Sequence, residues 1–241
     1  MGKVILVTSG KGGTGKTMFS VNLGASLADM GRRVLLIDMD LGMRNMDLYL
    51  GMENRVVFNI MDVMSGICKL NKAIMRVAGF DSLFFMAASP RRGNASLSPE
   101  RMKRLCEALS QHFDHIIIDT GAGMDETLDA AAAAAQTAVI ITEPEIAALR
   151  DADTIAAHLG EIGVADRCMV VNNVDIELVR AGILMDVDTI MNTTTTPVVG
   201  IIPTDREIRV STSLGTPIIC SDREDLKNSF RIMAGRILLE S

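Results

Sequence analysis

Residues 10–17 form a glycine-rich segment, Gly-Lys-Gly-Gly-Thr-Gly-Lys-Thr, that satisfies the pattern GxxxxGK[ST]. The segment stands between the apolar run 4–8 and the amphipathic stretch 16–30, so it predicts a loop that joins a strand to a helix. Glycines in such a loop let backbone N–H groups surround a polyphosphate, and the helix N-terminus adds positive potential. We therefore expect nucleotide phosphates to contact the residues Gly10, Lys11, Gly12, Gly13, Thr14, Gly15, Lys16, Thr17 and Met18.

Three side chains of this loop supply charge or a hydroxyl group. Lys16 would neutralise the β and γ phosphates, and the Thr17 hydroxyl would coordinate Mg2+. Lys11, directly after the first glycine, has two interpretations: a solvated side chain, or one that reaches a phosphate bound by a facing subunit. The local sequence leaves both open.

Aspartates follow two of the apolar runs. Asp119 ends the run 116–118, where a carboxylate can hold magnesium through water, while Asp38 and Asp40 end the run 34–37. The aspartate at the strand end, Asp38, would support the metal, and the one just beyond it, Asp40, would orient the attacking water. Aspartates also cap turns, which is the competing interpretation, but three of them around one phosphate loop favour a magnesium site made by Thr17, Asp38 and Asp119.

Short apolar runs alternate with amphipathic segments along the chain, as in a parallel sheet with crossover helices. The predicted strands are Val4–Thr8, Val34–Asp38, Leu83–Ala87, Ile116–Asp119, Val139–Thr142, Met169–Asn172 and Val198–Ile202. The predicted helices are Lys16–Met30, Pro99–Gln111, Asp125–Ala135, Ala147–Ile162 and Asp222–Leu239. We expect an α/β fold, a doubly wound and mostly parallel sheet with helices on both faces. No linker divides the chain, so residues 1–241 are expected to form one domain.

Composition excludes several other classes of protein. The 30 acidic residues outnumber the 24 basic ones, giving a net charge of -6, so direct nucleic-acid binding is not expected. There is no Trp and only one Tyr to stack against bases. The uncharged apolar stretch 130–142 is too short to span a bilayer, and no signal peptide is evident, so a cytoplasmic protein is expected.

The phosphate loop and the second strand together resemble a known family. Lys11 within the loop, followed by Asp38-Met-Asp40-Leu-Gly42, is similar to the deviant Walker A ATPases, the ParA/MinD group of P-loop NTPases. Further segments resemble the branch of that group that acts in division-site placement: 42–48, 55–58, 142–153, 200–203 and 215–218.

The resemblance implies a cycle of ATP and Mg2+ binding, face-to-face homodimer formation with ATP, and slow hydrolysis stimulated by a partner. Lys11, Lys16 and Asp40 would be its catalytic residues, with Lys11 crossing the dimer interface and Asp40 positioning the water. A MinC-like division inhibitor and a stimulating topological factor are the implied partners.

Other positions take roles from the same resemblance. Asn172, Pro203 and Asp205 would form the adenine pocket, although from its residue type alone Asn172 is a strand-end turn residue. Residues 119–123 would be the second switch. Asp151 and Asp153 would lie on a dimer and partner surface, with an exposed acidic face as the equally acceptable alternative.

Two departures from the family pattern affect these expectations. Gly121 replaces a proline that is usual in the second switch, so that loop is expected to be more flexible and hydrolysis slower. Members of the division-site branch usually continue, beyond the position of Leu239, into a basic amphipathic helix that binds the membrane. Without it, membrane association is not expected, whereas a full-length protein that carries the helix would bind the inner face of the cell membrane. The apolar stripe of the last predicted helix, Leu226, Phe230, Met233 and Ile237, is expected to pack on the domain instead.

Three alternative functions remain open from the sequence. The chain is compatible with a related ATPase that places flagella or partitions DNA, with a ligase that transfers phosphate to a metabolite, or with a nucleotide-binding scaffold of little turnover.

Overall fold

A single eight-stranded sheet organises the chain in the computed structural model, which describes residues 2–41, 43–90 and 97–239. The strands are β1 Lys3–Thr8, β2 Val34–Met39, β3 Met75–Arg76, β4 Leu83–Met86, β5 His115–Thr120, β6 Thr137–Thr142, β7 Asp166–Val174 and β8 Val198–Pro203. Their order across the sheet is β3-β4-β2-β5-β1-β6-β7-β8. All neighbours run parallel except β3 and β4, which are antiparallel.

The helices connect these strands and cover both faces of the sheet. They are α1 Lys16–Asp29, α2 Met46–Tyr49, α3 Ile60–Met64, α4 Leu70–Ala73, α5 Pro99–Leu109, α6 Glu126–Ala132, α7 Ile146–Ile162, α8 Ile176–Arg180, α9 Val187–Thr193, α10 Arg206–Ser213 and α11 Glu224–Leu239, with a 3-10 turn at Ile218–Cys220. Among the described residues, no helix is both long and apolar enough to cross a bilayer.

The apolar side chains divide into two layers on either side of the sheet. One layer packs α5, α6 and α7 against side chains such as Ile116 and Ile118, and the other packs α1 and α11 against their neighbour Ile117. Because successive strand residues point to opposite faces, a solidly apolar strand can serve both layers. The expected burial of both sheet faces is therefore confirmed.

The last helix packs on the domain, as its apolar stripe predicts. Leu226, Phe230, Met233 and Ile237 are all buried, and the Phe230 ring lies 6.4 Å from that of Phe19 on α1. This stripe is part of the core rather than a free apolar face.

The predicted parallel sheet is confirmed, and the differences concern short elements and boundaries. The seven predicted strands are present, each with one or both ends shifted by one to three residues, while the two-residue edge strand β3 was not predicted. The helix predicted over 125–135 begins one residue later because Asp125 caps it, its carboxylate accepting hydrogen bonds from the backbone N–H groups of Thr127 and Leu128, and the helix ends at Ala132. Helices α2, α3, α4, α8, α9 and α10 were also missed, because they are too short for a periodic pattern. Gly42 and residues 91–96 lie outside the described residues.

The parallel register places the predicted acidic residues at one edge of the sheet. Asp38 on β2 is the register partner of Asp119 on β5, and Asp119 also pairs with Val7 on β1, the strand that leads into the phosphate loop. Since carboxyl ends of parallel strands share an edge, the loop and both carboxylates meet there.

Candidate functional site

The phosphate loop has the backbone geometry that an anion site requires. Gly13 and Gly15 have φ values of 82° and 92°, a region that favours glycine. Gly15 stands directly before α1 and no side chain of the described residues caps that helix end, so the first N–H groups of α1 are available to an anion. At Gly12 and Gly13, no atom of the residues that the structure describes lies within 4 Å of where a Cβ would stand. The loop is therefore open above its backbone and fits a bound phosphate.

Two buried polar groups of the loop support the same interpretation. The Lys16 side chain is largely buried, and burial lowers its pKa while the carboxylates of Asp119 and Asp40 oppose that shift. The Thr14 hydroxyl is buried and has no hydrogen-bond partner within the described part of the chain. Since a buried polar group usually finds a partner, a polyphosphate held over this loop would satisfy the ammonium group chemically and would offer acceptors to the loop.

Asp119 is held by two hydroxyl groups of the first helix. Thr17 Oγ1 donates to Oδ2 at 2.6 Å, and Ser20 Oγ donates to Oδ1 at 2.9 Å. Burial raises the pKa of Asp119 to about 6, with the two hydroxyl groups and Lys16 acting in the opposite direction. The carboxylate is thus fixed in direction and lies against the hydroxyl that is the predicted magnesium ligand.

Asp38 lies beside Asp119 and is more strongly perturbed. Burial, followed by the charge of Asp119, raises the pKa of Asp38 to about 8. Its Oδ1 accepts a hydrogen bond from the Asp40 backbone N–H at 2.9 Å, and its Oδ2 accepts one from Met46 at 3.3 Å. Asp38 therefore holds the loop that carries Asp40, and a cation nearby would favour its charged form.

The residues present fit magnesium only together with a nucleotide. No group of three or more His, Cys, Asp or Glu side chains comes together as a metal site in the described ranges. Mg2+ prefers six oxygen ligands and keeps several waters, so phosphate oxygens and water would have to complete a set that includes Thr17, Asp119 and Asp38. The chemistry of these donors is that of a nucleotide-dependent magnesium site.

Gly10 and Lys11, at the beginning of the phosphate loop, contact helix α7. Lys11 Nζ lies 3.8 Å from Asp151 Oδ2 in a half-exposed ion pair, and a Cβ on Gly10 would stand only 2.7 Å from the Asp151 Cβ. Glycine at position 10 is therefore required by the close approach of α7. Because exposed ion pairs of this kind contribute little to stability, Lys11 can exchange Asp151 for another partner.

The three residues predicted for the adenine pocket lie near one another but have protein contacts of their own. Asn172 Nδ2 donates to the Thr14 carbonyl at 2.8 Å, and Pro203 ends β8 as the register partner of Val174. The Asp205 carboxylate caps α10 through Glu207 at 2.7 Å and is paired with the Arg223 guanidinium at 3.1 Å. All three stay at the carboxyl edge of β7 and β8, and their adenine role stays a prediction.

Asp151 and Asp153 have different environments despite their shared helix. Asp151 is paired with Lys11, whereas Asp153 accepts hydrogen bonds from Thr195 and from both the N–H and the hydroxyl of Thr196. Asp153 thus holds the turn that precedes β8, a structural role that residue type alone does not reveal.

Gly121 in the predicted second switch leaves space next to Asp40. A Cβ at this position would lie 3.5 Å from Asp40 Oδ1, an ordinary contact distance. The proline usual in the family would therefore pack against the side chain predicted to position water.

Two features of the site were missed by sequence analysis. Ser20 gave a weak signal, a hydroxyl one helical turn after Thr17, but its contact depends on how α1 lies against β5. Arg44 and Asp47 form a short ion pair at 2.6 Å with Asp47 buried, immediately after the loop held by Asp38. Arg44 has a positive φ of 39°, and its sequence signal is an Arg and Asp at a spacing of three.

A family model and a curated relative identify the same family for this chain. Residues 5–218 match the model of the CobQ/CobB/MinD/ParA nucleotide binding domain. The septum site-determining protein MinD of Bacillus subtilis is 38% identical over 243 residues, covering 100% of this chain and 91% of that protein.

Solved structures agree with this match. The MinC:MinD cell division protein complex of Aquifex aeolicus superposes with a TM-score of 0.89 at 32% identity, covering 99% of this chain and 96% of that one. MinD of Pyrococcus horikoshii, complexed with Mg-ADP, has a TM-score of 0.87 at 29% identity, with 97% and 95% covered. The predicted fold class is thereby confirmed for the chain as a whole.

Proposed function

Because the chain belongs to the CobQ/CobB/MinD/ParA family of nucleotide-binding domains, we propose that it works as a MinD-like ATPase in division-site placement. The observation that carries the proposal is the position of Asp119 against Thr17, beside Lys16 and an uncapped helix N-terminus. A relative solved with Mg-ADP supports the pairing of nucleotide and magnesium. ATP and Mg2+ are its cofactors, and it is an ATP hydrolase.

The residue roles follow from where the side chains stand. The loop glycines expose backbone N–H groups to the phosphates, and Lys16 neutralises charge that develops on them. Thr17 and Asp119, supported by Asp38, hold Mg2+, which supplies Lewis-acid stabilisation of the phosphate oxygens. Asp40, which β2 and the Asp38 carboxylate place beyond the strand end, orients the attacking water.

ATP acts as a switch between a monomer and a face-to-face homodimer. In the free subunit Lys11 is in a weak ion pair with Asp151, so it can exchange that partner for a phosphate of the facing subunit. The dimer presents a composite surface to a MinC-like division inhibitor, and a topological factor stimulates hydrolysis and resets the switch. The Aquifex complex of MinC with MinD supports the first of these partners.

We place this cycle in the cytoplasm, with peripheral binding at the inner face of the cell membrane where the full-length protein carries a basic amphipathic helix. No direct contact with nucleic acid is part of the proposal, since the net charge is -6.

Size analysis with ADP, and then with ATP and Mg2+, tests the switch. We expect a monomer with ADP and a dimer with ATP that binds a purified MinC-type inhibitor. A monomer under every condition would overturn the dimer switch, and tight binding of Mg-ATP without any turnover would overturn the ATPase in favour of a scaffold. Lys16→Ala, which removes the phosphate-binding ammonium group, is the negative control.

A further inference from the structure

A groove at the opposite end of the sheet carries charge that the nucleotide site does not use. It has a volume of about 560 Å3 and lies among α4, the start of β4 and the segment after α5. Its apolar lining consists of Leu70, Ile74, Phe84, Leu109 and Phe113, and its polar lining of Arg33, Lys69, Asn71, Arg76 and His112. Arg33 precedes β2 by one residue and Asp38 lies near the other end of that strand, about 17 Å away at the usual rise.

The floor of the groove consists of two aromatic rings, and the Arg33 guanidinium lies against both of them. The rings of Phe84 and Phe113 meet edge to face with centroids 5.4 Å apart. The Arg33 guanidinium lies 4.8 Å from the Phe84 centroid and 5.4 Å from that of Phe113. Arginine on aromatic faces keeps its in-plane N–H groups available to an anion.

Backbone contacts fix Arg33 in this position. Its N–H donates to the Asp114 carboxylate at 2.7 Å, and its carbonyl accepts from the Asp114 N–H at 2.8 Å. A binding group that is held before a ligand arrives loses little conformational freedom on binding.

The groove is cationic on a chain of net negative charge. Three cations line it with no carboxylate among its lining residues in the described ranges. Two acids contact its arginines: Asp114, which accepts from the Arg33 backbone N–H, and Asp81, in an exposed pair with Arg76. Exposed pairs of that kind contribute little, so Arg76 is available to another partner. By contrast, a neighbouring groove of about 1110 Å3 mixes Lys3, Arg32 and Lys103 with Glu107, Asp114 and Asp166 and therefore selects no charge.

The adjoining sheet edge favours a peptide rather than a lipid. β3 is the outermost strand, and Met75 and Arg76 pair with Phe85 and Phe84. Val77 N–H donates to the Leu83 carbonyl, so residues 75 and 77 form hydrogen-bonded pairs with β4. The alternation of an antiparallel ladder then turns the N–H and C=O of Arg76 away from β4. An extended segment can pair with such an edge, whereas a lipid headgroup gains nothing from it.

We propose that this groove binds an acidic, extended segment of a partner protein that inserts one aromatic or leucine side chain between Leu70, Ile74 and the two phenylalanines. Arg33, Lys69 and Arg76 pair with its carboxylates. The proposal does not depend on the ATPase function, because the groove shares no residue with the nucleotide site.

Fluorescein-labelled peptides test the proposal by anisotropy on the whole protein. The probe Glu-Glu-Leu-Phe-Glu-Glu is compared with Glu-Glu-Gly-Ser-Glu-Glu and with Lys-Lys-Leu-Phe-Lys-Lys. We expect saturable, salt-sensitive binding of the first alone, because only it combines carboxylates with an apolar anchor. Equal binding of all three peptides, or of none, overturns the proposal. So does binding of phosphatidylglycerol vesicles, lost in Arg33→Glu, without binding of the peptide.

Matched variants locate the site. Arg33→Glu should weaken binding of the first peptide about tenfold, whereas Arg32→Glu, the same charge change one residue earlier and outside the groove, should not. Equal effects of both variants would overturn the location. Lys69→Glu, on an exposed side chain, replaces Arg33→Glu if that variant fails to fold. Lys16→Ala should bind the peptide like the wild type, which separates this result from any failure of the nucleotide site.

Discussion

Thr17 Oγ1 donates a 2.6 Å hydrogen bond to Asp119 Oδ2, which joins the start of the first helix to the end of the strand β5. Because Ser20 holds the other carboxylate oxygen, Asp119 has a fixed direction before any ligand is bound. A metal site arranged in this way depends on its supporting contacts nearly as much as on its ligands.

Asp119→Asn is expected to lower the rate of ATP hydrolysis about 10- to 100-fold, the usual cost of losing an outer-shell contact at a metal site. The amide retains the shape but loses the charge that faces magnesium. Steady-state hydrolysis over a Mg2+ titration measures the effect, with Asp114→Asn as an exposed control. Wild-type turnover of Asp119→Asn would contradict the assignment.

Lys16→Ala is expected to weaken nucleotide binding about 10- to 100-fold, since hydrogen bonds to charged groups contribute about 1.5–3 kcal/mol. Titration with fluorescent ADP and ATP analogues measures both affinities. Lys103→Ala on α5, an exposed lysine far from the loop in sequence, serves as the control. Unchanged affinity of Lys16→Ala would exclude it from phosphate binding.

Lys11→Ala is expected to bind ATP normally and to remain monomeric. ATP binding should be normal because Lys11 lies half-exposed beside Asp151, where it contributes little to the nucleotide site of its own subunit. The dimer should be lost because the lysine that would reach the phosphate of the facing subunit is missing. Light scattering with ATP and Mg2+ measures the molecular mass. A normal dimer of Lys11→Ala would contradict the role of Lys11 across the interface. Asp151→Asn, which breaks the same ion pair while keeping the lysine, should still dimerise.

The pH dependence of stability should report the buried Asp38. Its pKa is raised to about 8 in the folded protein and is near 4 in the unfolded chain, so between these values the folded state holds more protons. The contribution of Asp38 to the free energy of unfolding is therefore full below pH 4 and declines as the pH rises through 8. Urea unfolding of the nucleotide-free protein should show a smaller decline for Asp38→Asn than for the wild type. Parallel pH profiles would contradict this expectation.

Asp153→Ala is expected to destabilise the protein by about 1–3 kcal/mol, because it leaves the N–H groups of Thr195 and Thr196 without their acceptor. Urea unfolding measures the change, and Glu161→Ala on the same helix is the exposed control. A loss of partner binding at unchanged stability would instead assign Asp153 to a docking surface.

The sequence was most informative where a pattern is local and physically demanding. The phosphate loop needs glycines at a strand-to-helix junction, and buried parallel strands need uninterrupted apolar residues, so both could be predicted. The proximity of Asp38 and Asp119 could be predicted as well, because the carboxyl ends of parallel strands meet at one edge of the sheet.

Contacts between distant segments could not be predicted in this way. Ser20 meets Asp119 only through the packing of α1 on β5, and Asp153 meets Thr196 across 43 positions of the chain. The short helices had a usable signal that was missed. Asn59 and Asp62 form a reciprocal capping box on α3, and aspartates cap α8, α9 and α10.

The contact between Asn172 and the loop also bears on mutational scanning. A Cβ at position 15 would clash with Asn172 Nδ2, so any side chain there would displace Asn172. Shortening residue 172 would relieve the clash but not the backbone strain, because Gly15 has a φ of 92° that disfavours any side chain. A double-site library should therefore recover glycine alone at position 15, whatever residue stands at position 172.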